Sequence, residues 1–496
     1  MSSPALKHSN HEHRNPRLAR LGLGEKAGFA IGDFGFNLYW TCIASFLAVF
    51  YTDVFGLPAA IAGTLLLITK LIDAMTDPLM GAIADRTQTR WGKFRPYLLF
   101  AGVPMAAASV LTFTTPDLNG TGKLIYAYIT YSAMMLGYTL LSTPYASLSG
   151  VMTAHPQERN TLISWRFIAA FAGMTFVNKY TLPLVEWLGR GNEQLGWQLT
   201  MMVYGALACV IFAVTFFTTR ERIEPPAVQN TRPLDDIKDL LHNRPWLILV
   251  GLQMVIMLTI TLRGGSSYYY LMYYVERPEL ISNYLAVQAL ALAGGAAITP
   301  LLTRYFDKAL LIVILMCVVG TLSLAFYFVP KDAVWLMFTL NILISLALGP
   351  KSPLAWSMFA DCADYTEWRS GRRATAMTFS AATFSMKLGG AMGSALMLWV
   401  LAAIGYVARE AQSGASQAGI ALLQTVIPGA FALLAAAVAS FYPLNNARLE
   451  RIQEELGKGT ATGKRDTRWP LDKDTDTIAP EERPPVGRPP AGTAPS

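Results

Sequence analysis

Asp73 and Asp77 stand one helical turn apart inside the apolar run IAGTLLLITKLIDAMTDPLMGAIA, residues 61–84. Spacing i, i+4 places both carboxylates on one helix face. Two like charges that close repel each other unless a cation lies between them or one carries a proton. A charge near the middle of a bilayer costs roughly 2.5–3.5 kcal/mol on insertion scales and by default marks a functional site. The pair therefore reads as a seat for a cation, either a proton or a metal ion such as Na⁺. The plainer alternative is a buried polar pair satisfied by neighbouring helices. Pro78 and Gly81, just beyond the pair, loosen the helix and favour the seat.

Further polar residues interrupt other apolar runs. Asp33 and Asn37 lie one turn apart in AIGDFGFNLYW, and Tyr138, Thr139 and Ser142 lie together in LGYTLLSTPYASL. Arg166 falls in SWRFIAAF, Arg263 precedes the tyrosine run RGGSSYYYLMYY, and Lys387 sits in FSMKLGGAMGSA. Three cations thus face three carboxylates, and pairing across helices would neutralise them. For Arg263 and Lys387 the choice between holding helices together and meeting a ligand stays open. Tyr138 reads as lining an aqueous cavity; for Tyr268–Tyr270 an interfacial belt and a cavity wall are equally compatible. Asp361, Asp364, Glu367 and Arg369 lie in ADCADYTEWRSGRR, where a span meets water. Charges so placed can act as a gate that pairs when one side is closed and separates when it opens.

The elements that position these residues are read from hydropathy. The chain of 496 residues is 53% apolar and only 15% charged, well below the quarter usual in soluble proteins. Runs of about 20 apolar residues, each enough to cross ~30 Å of hydrocarbon, recur twelve times. They fall near 27–52, 59–85, 95–115, 123–151, 161–186, 196–218, 246–275, 282–303, 309–329, 333–360, 373–405 and 418–442. Lys and Arg concentrate in alternate loops: Arg86, Arg90, Lys93 and Arg95; Arg220, Arg222, Arg232, Lys238 and Arg244; Arg369, Arg372 and Arg373. The positive-inside rule then places both termini in the cytoplasm. The fold expected is an all-α membrane protein of twelve transmembrane helices in two six-helix halves, the layout of major facilitator carriers. Its parts are an N-terminal tail (1–25), a first half (26–218), a central cytoplasmic loop (219–245), a second half (246–444) and a tail from 445 to 496 expected to be disordered. In the central loop LDDIKDLL suits a short surface helix. The +7 net charge lies in loops and tails, so it is not a nucleic-acid footprint. The four cysteines form no metal or disulfide spacing, and a metal role for His8, His11 and His13 is not expected. No Ser–His or metal-ligand constellation points to an enzyme.

YTDVFGL, KLIDAMTDPLMGAIADRTQTRWGKFRPYLL, the ADCADYTEW stretch with its GRR, and SMKLGGA together resemble the glycoside–pentoside–hexuronide:cation symporter family, a branch of the major facilitator carriers that includes the bacterial melibiose carrier. The resemblance spans nearly all of residues 25–442. It implies a cation site of Asp73, Asp77, Thr76 and Thr139, and sugar contacts at Asn37, Tyr138, Ser142, Arg166, Thr383 and Lys387. The chain departs from the melibiose carrier at several of these places. Thr76 replaces an asparagine, Asn37 and Ser142 replace two sugar-gripping aspartates, Ala146 replaces a stacking tryptophan, and Phe36 replaces a lysine. Galactoside specificity is therefore not implied. Asp33 could supply the missing carboxylate, and Arg263 either meets an acidic sugar such as a uronide or pairs with a carboxylate.

The function expected is import of a sugar or glycoside coupled to H⁺ or Na⁺ by alternating access, in a bacterial cytoplasmic membrane. No cofactor beyond the coupling ion and no partner chain is expected, so the carrier should act as a monomer in the bilayer. Two other functions fit the same scaffold. A lipid or lysolipid carrier would show no competition by free sugars, and a non-transporting sensor would lose function when the tail is removed.

Overall fold

The computed structural model describes residues 21–153, 156–222, 243–370 and 375–462. Among these residues the regular structure is helical, apart from one bridge between Thr89 and Gly92. The first half comprises α1 (Leu23–Val49), α2 (Ala59–Arg86), α3 (Arg95–Phe100), α4 (Gly102–Thr112), α5 (Gly120–Met152), α6 (Pro156–Gly189) and α7 (Glu193–Thr218). The second comprises α8 (Arg244–Tyr269), α9 (Ile281–Leu302), α10 (Lys308–Phe326), α11 (Val334–Leu348), α12 (Lys351–Ser370), α13 (Thr375–Ala403), α14 (Gly414–Gln424) and α15 (Val426–Ser440). A terminal helix, α16 (Asn446–Thr462), follows.

Among the described residues helix is found in each of the twelve apolar stretches, and ten helical segments are long and apolar enough to cross a membrane. The other two differ for physical reasons. Residues 95–112 are broken at Ala101 into α3 and α4. The 34-residue α6 carries Glu158, Arg166, Asn178 and Lys179, and each of these is matched by a polar partner on another helix: Lys26, Asp33, Ser45 and Asn283. Partners of this kind offset the cost of burying polar groups in lipid.

Each half packs mainly on itself. In the first half α1 lies on α6 and α7, and α5 lies on α2 and α4; in the second α8 lies on α13 and α15, and α10 on α15. Close approach needs small residues. A Cβ at Gly173 of α6 would stand 2.9 Å from the Asn37 Cβ of α1. Among the described residues the main contacts between the halves are α2 with α13, α6 with α9, and α1 with α8. The first helices of the two halves also end alike, each in a π-helical turn: Phe50–Val54 after α1 and Tyr270–Tyr274 after α8.

The loop after α2 has a local explanation. Gly92 adopts φ +115°, and a Cβ there would meet Glu221 Oε1 at 2.6 Å. The Glu221 carboxylate instead accepts backbone N–H bonds from Lys93 (2.8 Å), Phe94 (2.8 Å) and Arg95 (2.9 Å). The Arg95 guanidinium donates to the Phe216 carbonyl at the end of α7 (2.5 Å). The RWGKFRP motif thus fastens the start of α3 to the end of α7.

The expected disorder from residue 445 is corrected over its first part. Asn446–Thr462 is helical and packs on α12. Leu449 and Ile452, three apart and therefore on one face, are buried, and Glu455 accepts a hydrogen bond from the Trp368 indole (2.6 Å). The N-terminal histidines, the LDDIKDLL segment, Arg372, Arg373 and the Pro-rich end lie outside the described residues.

Candidate functional site

α2 brings Asp73 and Asp77 to the seam with α13, and α5 closes the group from its own half. The Thr139 hydroxyl of α5 donates to Asp73 Oδ1 (2.6 Å) and lies 3.2 Å from Asp77 Oδ1. Lys387 Nζ of α13 lies 2.7 Å from Asp73 Oδ2 and 2.5 Å from Asp77 Oδ2. One ammonium therefore occupies the position between the two carboxylates that electrostatics demands for a cation. It comes from the opposite half, so the charge also ties the halves together. Asp73 is 2% exposed and Asp77 27%, which leaves Asp77 as the side from which an ion can enter. Thr76 turns its hydroxyl onto the Asp73 backbone carbonyl (2.8 Å) and not onto either carboxylate.

Beside this group a central cavity of about 470 Å³ lies between the halves, a size suited to a small-molecule ligand. Of the residues expected to contact substrate, Tyr138, Arg263, Thr383 and Lys387 line it. Tyr138 stands 5.5 Å from the Trp40 ring, and both are cavity walls. Asp33, Asn37, Arg166 and Ser142 are not on that wall. Asp33 and Arg166 form a two-pronged ion pair through Nε–Oδ2 and Nη2–Oδ1. The Arg166 guanidinium lies 4.8 Å from the Tyr145 ring, and the Tyr145 hydroxyl donates to the Phe29 carbonyl (2.7 Å). Asn37 donates to the Asp33 carbonyl (2.9 Å) and accepts from Thr41. Ser142 is half-buried.

Arg263 is 1% exposed, and Nη2 donates to Asn341 Oδ1 (3.0 Å). Among the described residues its Nε and Nη1 have no hydrogen-bond partner, and the guanidinium lies 5.8 Å from the Phe326 ring. Two further lysines change the balance of three cations against three carboxylates. Lys70 and Lys351 also line the cavity. Lys70 lies one turn before Asp73 in KLIDAMTDP and donates to Ser394 Oγ (3.2 Å). Lys351, at the start of α12, has the Met257 thioether at 2.9 Å. Both were legible as charges inside apolar runs.

A second cluster, at the face opposite the termini, was also missed. Asp53, in the π turn after α1, accepts from the hydroxyls of Tyr406 (2.6 Å), Thr52 (2.6 Å) and Tyr273. Thr52 lies 3.0 Å from the Tyr269 hydroxyl, and Arg409 bonds the Asp53 carbonyl and the Glu193 carboxylate. Burial, and then the neighbouring Asp53 charge, push the Tyr406 hydroxyl well above its usual pKa, so it remains a donor. Tyr268 and Tyr269 are buried in or beside this cluster, Tyr270 is buried against Tyr274 and Phe326, and all three are off the cavity wall.

At the terminal face Asp361 and Asp364, two of the expected gate residues, each meet a partner from their own half. Lys308 pairs with Asp361 (2.6 Å), and Gln453 donates to Asp364 (3.5 Å). Glu367 and Arg369 lie at the end of α12.

The sequence matches the family described as MFS/sugar transport protein over residues 28–446. It is 38% identical over 450 residues to the putative glycoside/cation symporter YagG of Escherichia coli strain K12, covering 90% of this chain and 97% of that one. It is 33% identical over 450 residues to the isoprimeverose transporter of Lactiplantibacillus pentosus, covering 90% and 92%. The fold matches the inward-open xylose transporter XylE from E. coli at a TM-score of 0.58 and 15% identity, over 87% of this chain and 98% of that one.

Proposed function

Because the chain belongs to the MFS/sugar transport protein family, a family of membrane carriers and not of enzymes, we propose that it is a secondary active symporter that imports a sugar or glycoside together with a cation. The observation that carries this is the charge group at the seam: Asp73 and Asp77 from one half, Lys387 from the other, beside a cavity of sugar size.

The mechanism follows from charge balance. Two carboxylates this close need one positive charge between them. With Lys387 there, α2 is pinned to α13. When H⁺ or Na⁺ takes the seat, Lys387 is released to the cavity it lines, where it meets a sugar oxygen. Ion and sugar then favour each other, and by linkage each raises the other's affinity by the same factor. Filling of both sites relaxes the seam and lets one half rock against the other. The Asp53 cluster ties the two halves together at the face opposite the termini, which supports a reading in which the cavity is reached from the terminal side. With both termini in the cytoplasm of a bacterial cell, that is the cytoplasmic side. The carrier works as a monomer, since both halves of the seam come from one chain. One charge moving through 100 mV supplies about 2.3 kcal/mol, enough for roughly fiftyfold accumulation at one-to-one coupling.

The test is uptake by the purified carrier in liposomes, using neutral glycosides, pentosides and uronides under a Na⁺ gradient and separately under a proton gradient. Accumulation of a sugar under one of the two is expected. Uptake of amphiphiles, with no sugar accumulated under either gradient, would overturn the proposal in favour of a lipid carrier.

A further inference from the structure

Asp53 is 8% exposed, and among the described residues no Lys, Arg or His pairs with its carboxylate; Arg409 bonds its backbone carbonyl and the Glu193 carboxylate instead. A buried carboxylate without a cation depends on hydrogen-bond donors. Three hydroxyls supply them. Tyr406 donates to Oδ1 (2.6 Å) and Tyr273 to Oδ2, both from the second half, while Thr52 of the first half shares Oδ1 (2.6 Å). One hydroxyl from across the seam on each carboxylate oxygen is the pattern that two adjacent hydroxyls of a sugar ring reproduce.

The tyrosines supply the aromatic side of such a site. The rings of Tyr269 and Tyr406 meet edge to face at 5.4 Å, as do those of Tyr273 and Tyr406, and Tyr269 stacks with Tyr273 at 6.5 Å. When the halves part at this face, Asp53 and Thr52 stay with one and the three rings with the other. The carboxylate then loses two of its three donors, and the rings lose their cover. A sugar in the gap answers both. Its hydroxyls donate to the carboxylate in charge-assisted bonds, and its C–H face covers an aromatic face. The place is separate from the central cavity. Ser45 of α1 and Gly265 of α8 line that cavity, and Asp53 and Tyr273 come about two turns further along the same chain segments, roughly 12 Å at helical rise.

We propose that the Asp53 cluster is an outer capture site for a sugar with adjacent hydroxyls, and that the sugar opens the far face by displacing the Tyr273 and Tyr406 hydroxyls from Asp53. This rests on the symporter proposal and adds a second binding site to it. Exchange of hydroxyl for hydroxyl keeps the carboxylate supplied with donors, so opening avoids the cost of leaving a buried acceptor bare.

The test is sided transport by the full chain in right-side-out and inside-out membrane vesicles, with methyl β-D-xyloside, methyl β-D-glucoside and methyl β-D-glucuronide as probes. Tyr273→Phe together with Tyr406→Phe keeps the rings and removes the competing hydroxyls, so KM for sugar offered at the far face should fall threefold or more. Adding Asp53→Asn to that pair should raise the far-face KM at least tenfold above the pair's value, while KM at the terminal face moves less than twofold. A carboxylate that only fastens the halves has nothing left to fasten once both tyrosine hydroxyls are gone, so Asp53→Asn would then change neither KM. That result, or an equal change at both faces, would overturn the proposal and leave the symporter reading standing. If the Asn variant does not reach the membrane, Asp53→Ser on the same background decides. No coupled transport of any of the three probes by the unsubstituted chain would sink both.

Discussion

At the scale of single residues, the account turns on competition for one seat. Lys387 occupies the space between Asp73 and Asp77, so a coupling ion must displace it. Replacing Lys387 by Met should therefore tighten apparent cation affinity tenfold or more, read as the Na⁺ or H⁺ concentration giving half-maximal protection of the protein against thermal unfolding. It should also loosen coupling, because the ion no longer has a competitor to expel it. An unchanged or weaker cation affinity would contradict displacement. The two aspartates were legible in the sequence because a charged i, i+4 pair has no cheap reason to sit in lipid. Lys387 was legible as a charge, but its partners were not, because 310 residues separate it from Asp77 and only folding sets that distance. Asp33 and Arg166 show the same limit. Both stood out as intramembrane charges, and the structure joins them to each other away from the cavity wall.

At the scale of elements, the far-face closure is built on the two π turns that end α1 and α8. Asp53 gathers hydroxyls from Thr52 of its own half and from Tyr273 and Tyr406 of the other. Asp53→Ala removes the shared acceptor and leaves buried donors unpaired, at a cost of about 1–3 kcal/mol for each group. The expected outcome is a shift toward the opposite opening, seen as several-fold faster labelling of a Thr41→Cys reporter by a membrane-impermeant thiol reagent added from outside. No change in the labelling rate would argue against the closure. The terminal helix makes a second claim. Leu449 and Ile452 bury against α12, so truncation after residue 445 should lower Tm, whereas truncation after 462 should not. Ile452→Ala alone should cost about 2 kcal/mol. The sequence suggested disorder here because charged residues and a Pro-rich end dominate the composition. The two apolar positions that bind α12 are too few to lift that average.

At the scale of the whole molecule, hydropathy alone marked twelve stretches in a two-half layout, and among the described residues ten of them are helical segments long and apolar enough to cross lipid. The broken third stretch and the polar α6 were less plain, because their fitness for the membrane depends on partners in other helices. Among the described residues, features that bind the halves include the far-face cluster around Asp53, the α6–α9 contact through Lys179 and Asn283, and the charge group at the α2–α13 seam. Alternating access requires that the last of these respond to the ion. The most direct measurement is concentrative sugar uptake by Asp73→Asn and Asp77→Asn in liposomes, with substrate exchange measured in parallel as proof of a folded, binding-competent carrier. The account predicts that both variants lose gradient-driven accumulation and keep at most exchange or downhill flux. Normal accumulation in both variants would contradict it and place ion coupling elsewhere in the molecule.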